Sequence, residues 1–282
     1  MGLENFIPQL VHAKMLKERE KSFIGIKNCN RDGEGEIKEK GDRVKFVGLG
    51  NVTINNYTKN NFDTDLELQT MDDQAAWLYI TEQKYFNVGI DSIDAKQSSI
   101  ELNPEMRRKA GLAQNDIADQ FIYKKYSEVS AGMTITEAAA KAANIASTLG
   151  AGIQLLYEND VPQSEKIFIE VSPAIFMKMW YAKILTDTNN SATFTNGLQG
   201  KFLGAEVYMT NNIQKTVNVN HCLIRTRNAI GYAEQYVETK IYDLGSKGFG
   251  QAVKSLMLYG AEVLCPKELV RLDLTPAPET IV

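Results

Sequence analysis

The chain has 282 residues, 44% of them hydrophobic, with 31 lysines and arginines against 35 aspartates and glutamates, a net charge of -4 and a pI near 5.4. A compact chain of this size buries about 70 to 75% of its unfolded surface, so one large or two interleaved domains are expected. The acidic balance excludes a dedicated nucleic-acid-binding module, which needs a concentrated basic face.

At the N-terminus, Met1-Gly2-Leu3-Glu4-Asn5-Phe6 lacks the basic start and apolar stretch of a secretory signal, and Phe6 breaks the myristoylation pattern. Ile7, Leu10, Val11 and Met15 share one stripe, which predicts a helix over residues 5–22 with Pro8 in its first turn. Beyond Met15 the run Lys17, Glu18, Arg19, Glu20, Lys21 offers no face to bury, so this is an arm that must dock on its own body or on a neighbour.

Residues 31–45 carry ten charges of both signs, and residues 51–61 hold five asparagines among β-formers, a poor recipe for a self-contained core. Val44, Phe46, Val52 and Ile54 recur with a period near two between the turn signals Lys40-Gly41-Asp42 and Gly48-Leu49-Gly50. Leu66, Leu68 and Met71, then residues 77–80 and 85–88, read as returning strands. Together they predict a long two-stranded excursion, marginal alone and held by outside contacts.

Asn103 as N-cap, Pro104 at the first helical position and Glu105 near the positive end predict a long helix to about residue 129, roughly 40 Å of rod. Its buried stripe is expected at Met106, Ala110, Ala113, Ile117 and Phe121. Gly132 ends it, and the box Thr134-x-x-Glu137 predicts an alanine-rich helix through Ala146. Residues 142–157 form the most apolar window, but Asn144, Ser147, Thr148 and Gln154 interrupt it and it is too short to cross a bilayer. A strand over 167–171, a helix opened by Ser172-Pro173 and carrying Phe176, Met179, Trp180 and Ile184, and a polar loop over 187–196 follow. Strands are expected at 204–209, 222–226 and 237–242, a helix at 249–259, closing strands over 262–274, and a frayed tail from Pro276. The order is α+β without a repeating βαβ unit.

The chemical motifs are weak. Gly48-Leu49-Gly50 lacks the third glycine of a dinucleotide fingerprint and is followed by the strand formers Asn51-Val52-Thr53-Ile54, so a β-turn is expected. In Gly197-Leu198-Gln199-Gly200-Lys201-Phe202, Phe202 stands where a phosphate loop needs a hydroxyl. His12 and His221 are the only histidines, so a Ser-His-Asp relay must recruit one from the arm or a strand edge; a surface or hydrogen-bonded histidine is the expectation. The acidic pairs Asp72-Asp73 and Asp116/Asp119 read as solvated charges, and Lys124 and Lys125 are too isolated for a nucleic-acid stripe. Cys29, Cys222 and Cys265 form no CxxC pair and read as reduced, buried thiols. No catalytic, cofactor-binding or metal-ligating residue is assigned, and no enzyme activity is expected.

The order of arm helix, charged β excursion, long helix, α/β lobe and closing strand resembles the major capsid proteins of tailed bacteriophages with the Johnson fold, in their coat-like branch. The resemblance spans essentially the whole chain. It is carried by Phe6-Ile7-Pro8; Gly35-Glu36-Ile37 with Gly41-Asp42-Arg43-Val44; Asp72-Asp73-Gln74 through Lys84-Tyr85-Phe86; residues 88–94; residues 204–212; and Leu258-Tyr259-Gly260-Ala261-Glu262-Val263 with Pro266. It implies an α+β Johnson-type fold: an N-terminal arm (1–30), an extended β loop region (31–88), a peripheral domain with the spine helix (89–133 and 227–258) and an axial domain with closing strands (134–226 and 259–282). It also implies a structural protein that self-assembles as pentamers and hexamers into an icosahedral head enclosing double-stranded DNA and maturing by expansion. Inter-subunit contacts would come from Arg43, Lys45, Asn51, Asn55 and Tyr57 of the loop and from Phe6, Ile7, Leu10 and Val11 of the arm. Phe6 already begins the arm motif, so a separate scaffolding protein is expected. A portal protein and non-specifically contacted DNA are further implied partners, with no membrane, no cofactor and no metal. The protein would be made in the bacterial host cytoplasm and end in the virion. The alternatives are an encapsulin-type compartment shell and a soluble nucleotide-dependent enzyme.

Overall fold

Helices and strands alternate irregularly along the computed structural model, which describes residues 23–34, 43–49, 54, 56, 59, 73–91, 102–182, 198–245 and 248–279. In chain order they are α1 (Ile24–Lys27), β1 (Arg43–Leu49), β2 (Asp73–Tyr79), β3 (Glu82–Asp91), α2 (Leu102–Lys124), β4 (Thr134–Ala140), α3 (Ala142–Glu158), β5 (Ile167–Val171), α4 (Pro173–Tyr181), β6 (Leu198–Phe202), β7 (Ala205–Met209), β8 (Lys215–Thr216), β9 (Val219–Thr226), β10 (Ile230–Asp243), β11 (Gly250–Val263) and β12 (Leu269–Pro276). The arm helix over 5–22, His12, the returning segment at Leu66, Leu68 and Met71, Ile184 and the loop over 187–196 lie outside the described residues.

The chain divides into two compact units. The first contains Lys84–Ile117 and Tyr236–Met257; the second contains Ser22–Gln83, Ala118–Gln235 and Leu258–Val282. The first unit is organised on a three-stranded sheet in the order β10-β11-β3. Within it the Tyr242 hydroxyl donates to Asn87 Oδ1 at 2.9 Å, and Lys254 Nζ lies 5.3 Å from the Tyr242 ring centre. The helix expected over 249–259 is strand β11. Val253, Ser255, Met257 and Tyr259 are buried in alternation, with Lys254 exposed between the first two, a period of two that the polar Ser255 hides in the sequence.

The second unit holds a mixed sheet in the order β4-β12-β9-β5-β7-β6, with β8 paired to β9. β4 runs parallel to β12, and β5 parallel to β7; the remaining pairings are antiparallel. Helices α3 and α4 pack on one another and on β12. Ile145, Leu149, Ile153 and Leu156 of α3 and Ile175 and Met179 of α4 supply the buried stripes, as helical spacing requires. The Ser172 hydroxyl accepts from the Ile175 amide, so the predicted cap of α4 is in place. Trp180, expected on its apolar face, is 58% exposed.

Residues 134–140 form strand β4 and not a helix, because Thr134, Ile135 and Thr136 favour pairing and β12 supplies a parallel partner. The true start of α3 is marked by Asn144, whose Oδ1 accepts from the Lys141 amide at 2.8 Å, and by Glu279, which accepts from the Ala142 amide at 3.0 Å. That second contact, with Lys178 Nζ 2.9 Å from Glu279 and donating to the Ala277 carbonyl, ties down a tail expected to fray. In α2 the stripe is displaced: Ala113 and Ile117 are exposed, while Gln114, Ala118, Asp119, Ile122 and Tyr123 are buried. The helix begins at Leu102, so Asn103, expected just before it, lies inside it.

β1 and β2 pair antiparallel from Arg43↔Tyr79 to Leu49↔Asp73, so Gly48 and Leu49 are strand and not turn. Val44, Leu78 and Ala233 are buried together, with Phe46 and Ile80 packed against them. The inner face of this pair is therefore held by its own chain. Ile54, farther along, is 92% exposed.

Candidate functional site

The alternation that buries Val44 turns Arg43 and Lys45 outward. Their cross-strand partners are Tyr79 and Trp77. The Arg43 guanidinium lies 5.0 Å and Lys45 Nζ 5.8 Å from the Trp77 ring centre, and Trp77 stacks on Tyr79 at 6.5 Å. Two cations and two aromatic rings thus share one outward face of the β1–β2 pair, pre-ordered by cation–π attraction. The sequence located the cations but not the rings that hold them; a Trp-x-Tyr on the returning strand was the available signal. Asn51, Asn55 and Tyr57 of the loop, and Phe6, Ile7, Leu10 and Val11 of the arm, lie outside the described residues.

Residues 23–34 are anchored within the second unit. The Asn30 amide donates to the Ile230 carbonyl and the Tyr232 amide to the Asn30 carbonyl, while Arg31 pairs with Glu34 and Glu234, each at 2.7 Å. Arg31 and Glu34, both in the charged stretch of residues 31–45, pair with each other within this chain.

Beneath this segment lies a buried charged cluster. Arg225 on β9 and Glu170 on β5 form a two-pronged pair, Nε to Oε2 at 3.0 Å and Nη2 to Oε1 at 2.9 Å. Arg225 also donates to the carbonyls of Gly25 and Asn28, and Asn28 Nδ2 donates to Glu170 Oε1 at 2.9 Å. Burial opposes the charge of Arg225 more than any single neighbour supports it, but the charge and hydrogen bonds of the Glu170 carboxylate together with the other groups around it hold the guanidinium protonated beyond its ordinary range. Asp119 on α2 is fully buried, contrary to the expectation of a solvated charge. Its Oδ1 accepts from the Ile26 amide at 3.2 Å and its Oδ2 from Asn212 Nδ2 at 2.8 Å. Burial pushes its carboxyl up to about 6, against the pull of those donors. Burial likewise lifts the Cys29 thiol to about 11 and the Tyr123 phenol well above its usual value. Cys29 and Cys222 are buried as expected; Cys265 is only partly so.

His221 does sit on a strand and in a relay. Its Nδ1 is 2.6 Å from Asp273 Oδ1 and its Nε2 2.9 Å from the Thr216 hydroxyl. A carboxylate only accepts, so in the neutral ring Nδ1–H donates to Asp273 and Nε2 accepts from Thr216. Tyr126 lies flat on the imidazole at 4.1 Å, and Arg271 clamps Asp273 and covers Tyr126 at 5.5 Å. Although burial raises it, Asp273 is held below the ordinary aspartate range by its bonds to Arg271 and His221. The connectivity is that of a hydrolase relay, but connectivity alone does not make an active site. Here it joins β8, β9, β12 and the turn after α2 into one corner. Gly200-Lys201-Phe202 lies in strand β6, not in a phosphate loop. Among the described residues, no group of three His, Cys, Asp or Glu side chains could hold a metal ion, and no helix is long and apolar enough to cross a membrane.

A comparison with curated proteins gives no match. Among solved structures, a chain from Mycobacterium phage Che8 is similar at 22% identity and a TM-score of 0.73, over 96% of this chain and 98% of that one. The capsid of the cyanophage P-SCSP1u is similar at 15% identity and a TM-score of 0.74, over 99% and 95%. The SrpI encapsulin complex from Synechococcus elongatus is similar at 9% identity and a TM-score of 0.60, over 83% and 82%. These establish the Johnson-type capsid fold. The family model described as phage capsid protein matches residues 35–275. The chain belongs to the phage capsid protein family, as a shell-forming structural protein of the virion and not an enzyme.

Proposed function

We propose that this chain is the major capsid subunit that closes, as pentamers and hexamers, into an icosahedral phage head around double-stranded DNA. The observation that carries the reading is the family match over residues 35–275. In this reading a separate scaffolding protein guides assembly in the host cytoplasm, a portal protein occupies one vertex, and the shell expands as DNA enters. The acidic balance suits an inner wall that faces DNA without gripping it. Residues 1–30 act as the arm and 31–88 as the extended loop; the peripheral domain takes 89–133 and 227–258, and the axial domain 134–226 and 259–282. Arg43 and Lys45, on the outward face of β1, contact the adjacent subunit together with Asn51, Asn55 and Tyr57, and the arm does so through Phe6, Ile7, Leu10 and Val11.

Size-exclusion chromatography followed by negative-stain microscopy tests the reading. Closed shells of tens of nanometres are the expected outcome, and a small discrete oligomer would overturn it. A compartment shell is the second reading, favoured by the similarity to the SrpI encapsulin. Portal and terminase genes beside the coding sequence support the head; a cargo-enzyme gene supports the compartment.

A further inference from the structure

The buried cluster contains two carboxylates, Glu170 and Asp119, but one guanidinium, Arg225. Both prongs of Arg225 are committed to Glu170 and to the carbonyls of Gly25 and Asn28. Asp119 is left with neutral donors, the backbone amides of Gly25 and Ile26 and the Asn212 carboxamide. The other titratable groups around it are Glu170 on β5, Arg225 on β9, Tyr123 one turn along its own helix and Cys29 just beyond α1. When Asp119 is ionised, the cluster therefore holds one uncompensated buried negative charge, a costly state that water access relieves.

The segment that would have to move is α1. A Cβ added at Gly25 would lie 2.9 Å from Asp119 Oδ1 and 3.1 Å from Tyr123 Cε2, so this backbone lies directly on the carboxylate with no room for a water between them. Residues 23–30 are also the root of the N-terminal segment. We propose that Asp119 is a proton-operated clasp on that root: protonated, it holds residues 24–30 against β5 and β9, and ionised, it loosens them. In the protonated form Oδ1 still accepts from the Ile26 amide, while the acid proton donates to a flipped Asn212 carboxamide, leaving the cluster neutral.

Hydrogen exchange of peptides covering residues 23–30, corrected for intrinsic exchange chemistry, tests it on the full-length protein. In the wild type, protection of these amides is expected to fall about ten-fold between pH 5 and pH 7.5. Asp119→Asn cannot ionise and keeps the amide acceptor, so its protection should stay flat across that range. Asn212→Ala removes a partner that bonds the charged carboxylate more strongly than the neutral acid, and should move the fall to higher pH. Parallel pH profiles in wild type and Asp119→Asn, or a flat wild type, would overturn the proposal. Should Asp119→Asn not fold, an unchanged midpoint in Asn212→Ala overturns it equally.

Discussion

Arg225 and Glu170 meet in a two-pronged ion pair with both side chains at 0% exposure, and the same guanidinium reaches back to two carbonyls of the segment that begins the described chain. Removing one member strands the other charge in the interior. Glu170→Leu and Arg225→Met should each lower unfolding stability by about 3 to 5 kcal/mol, with the paired variant costing less than the two singles combined. Urea denaturation of dispersed subunits measures this, and additivity would show that the pair is not coupled.

Asp273 and Asp119 should change stability in opposite directions as pH falls. Asp273 is depressed in the folded state, so its contribution is present above the ordinary aspartate value of about 3.9 and is lost as pH falls through its lower folded value. Asp119 is raised to about 6, so its ionisation costs stability as pH rises from about 4 to 6, by on the order of 3 kcal/mol. Asp273→Asn should flatten the acid limb of a melting profile, and Asp119→Asn the limb between pH 4 and 6. An unchanged profile in either variant contradicts that assignment.

The phase of α2 gives a third test. Ile122 is fully buried and Ile117 is 43% exposed. Ile122→Asp should cost several kcal/mol and leave insoluble protein, whereas Ile117→Asp should stay within about 0.5 kcal/mol of wild type in the dispersed subunit. Equal soluble yields from the two would contradict the phase.

That helix also shows what was legible in the sequence. Its existence followed from Pro104 and its apolar content, although it ends at Lys124 and gives way to a short 3-10 turn before the expected end near residue 129; Gln114, Asp119 and Tyr123 occupy buried positions, so a search for an apolar stripe settles on the wrong face. Strands β4 and β11 were misread for a related reason. The alanines of 138–140 and the run Leu256-Met257-Leu258 have helical propensity, and only the partner strands β12, β10 and β3 decide against it. Elements with an unambiguous local signal, such as β5 and the Ser172-Pro173 start of α4, were read correctly. The buried cluster had no local signal, because its members at Asn28, Asp119, Glu170, Asn212 and Arg225 meet only through long-range folding. The family was legible from the order of segments along the whole chain.

The outward face of the β1–β2 pair gives the last test, which bears on assembly. Arg43 and Lys45 are steadied by Trp77 within the subunit, so at the proposed interface they would meet the adjacent subunit already ordered and lose less entropy on contact. Reversing both to glutamate should reduce shell yield most at low salt, because charges at a rim steer association and are screened over about 8 to 10 Å near physiological ionic strength. Trp77→Leu keeps both charges but removes their support, worth about 0.5 to 1 kcal/mol per contact at exposed sites, and should weaken assembly with little change in salt slope. Sedimentation of shells across a salt series separates the two effects. If both variants assemble as wild type does while the dispersed subunits melt normally, this face lies outside the subunit interface.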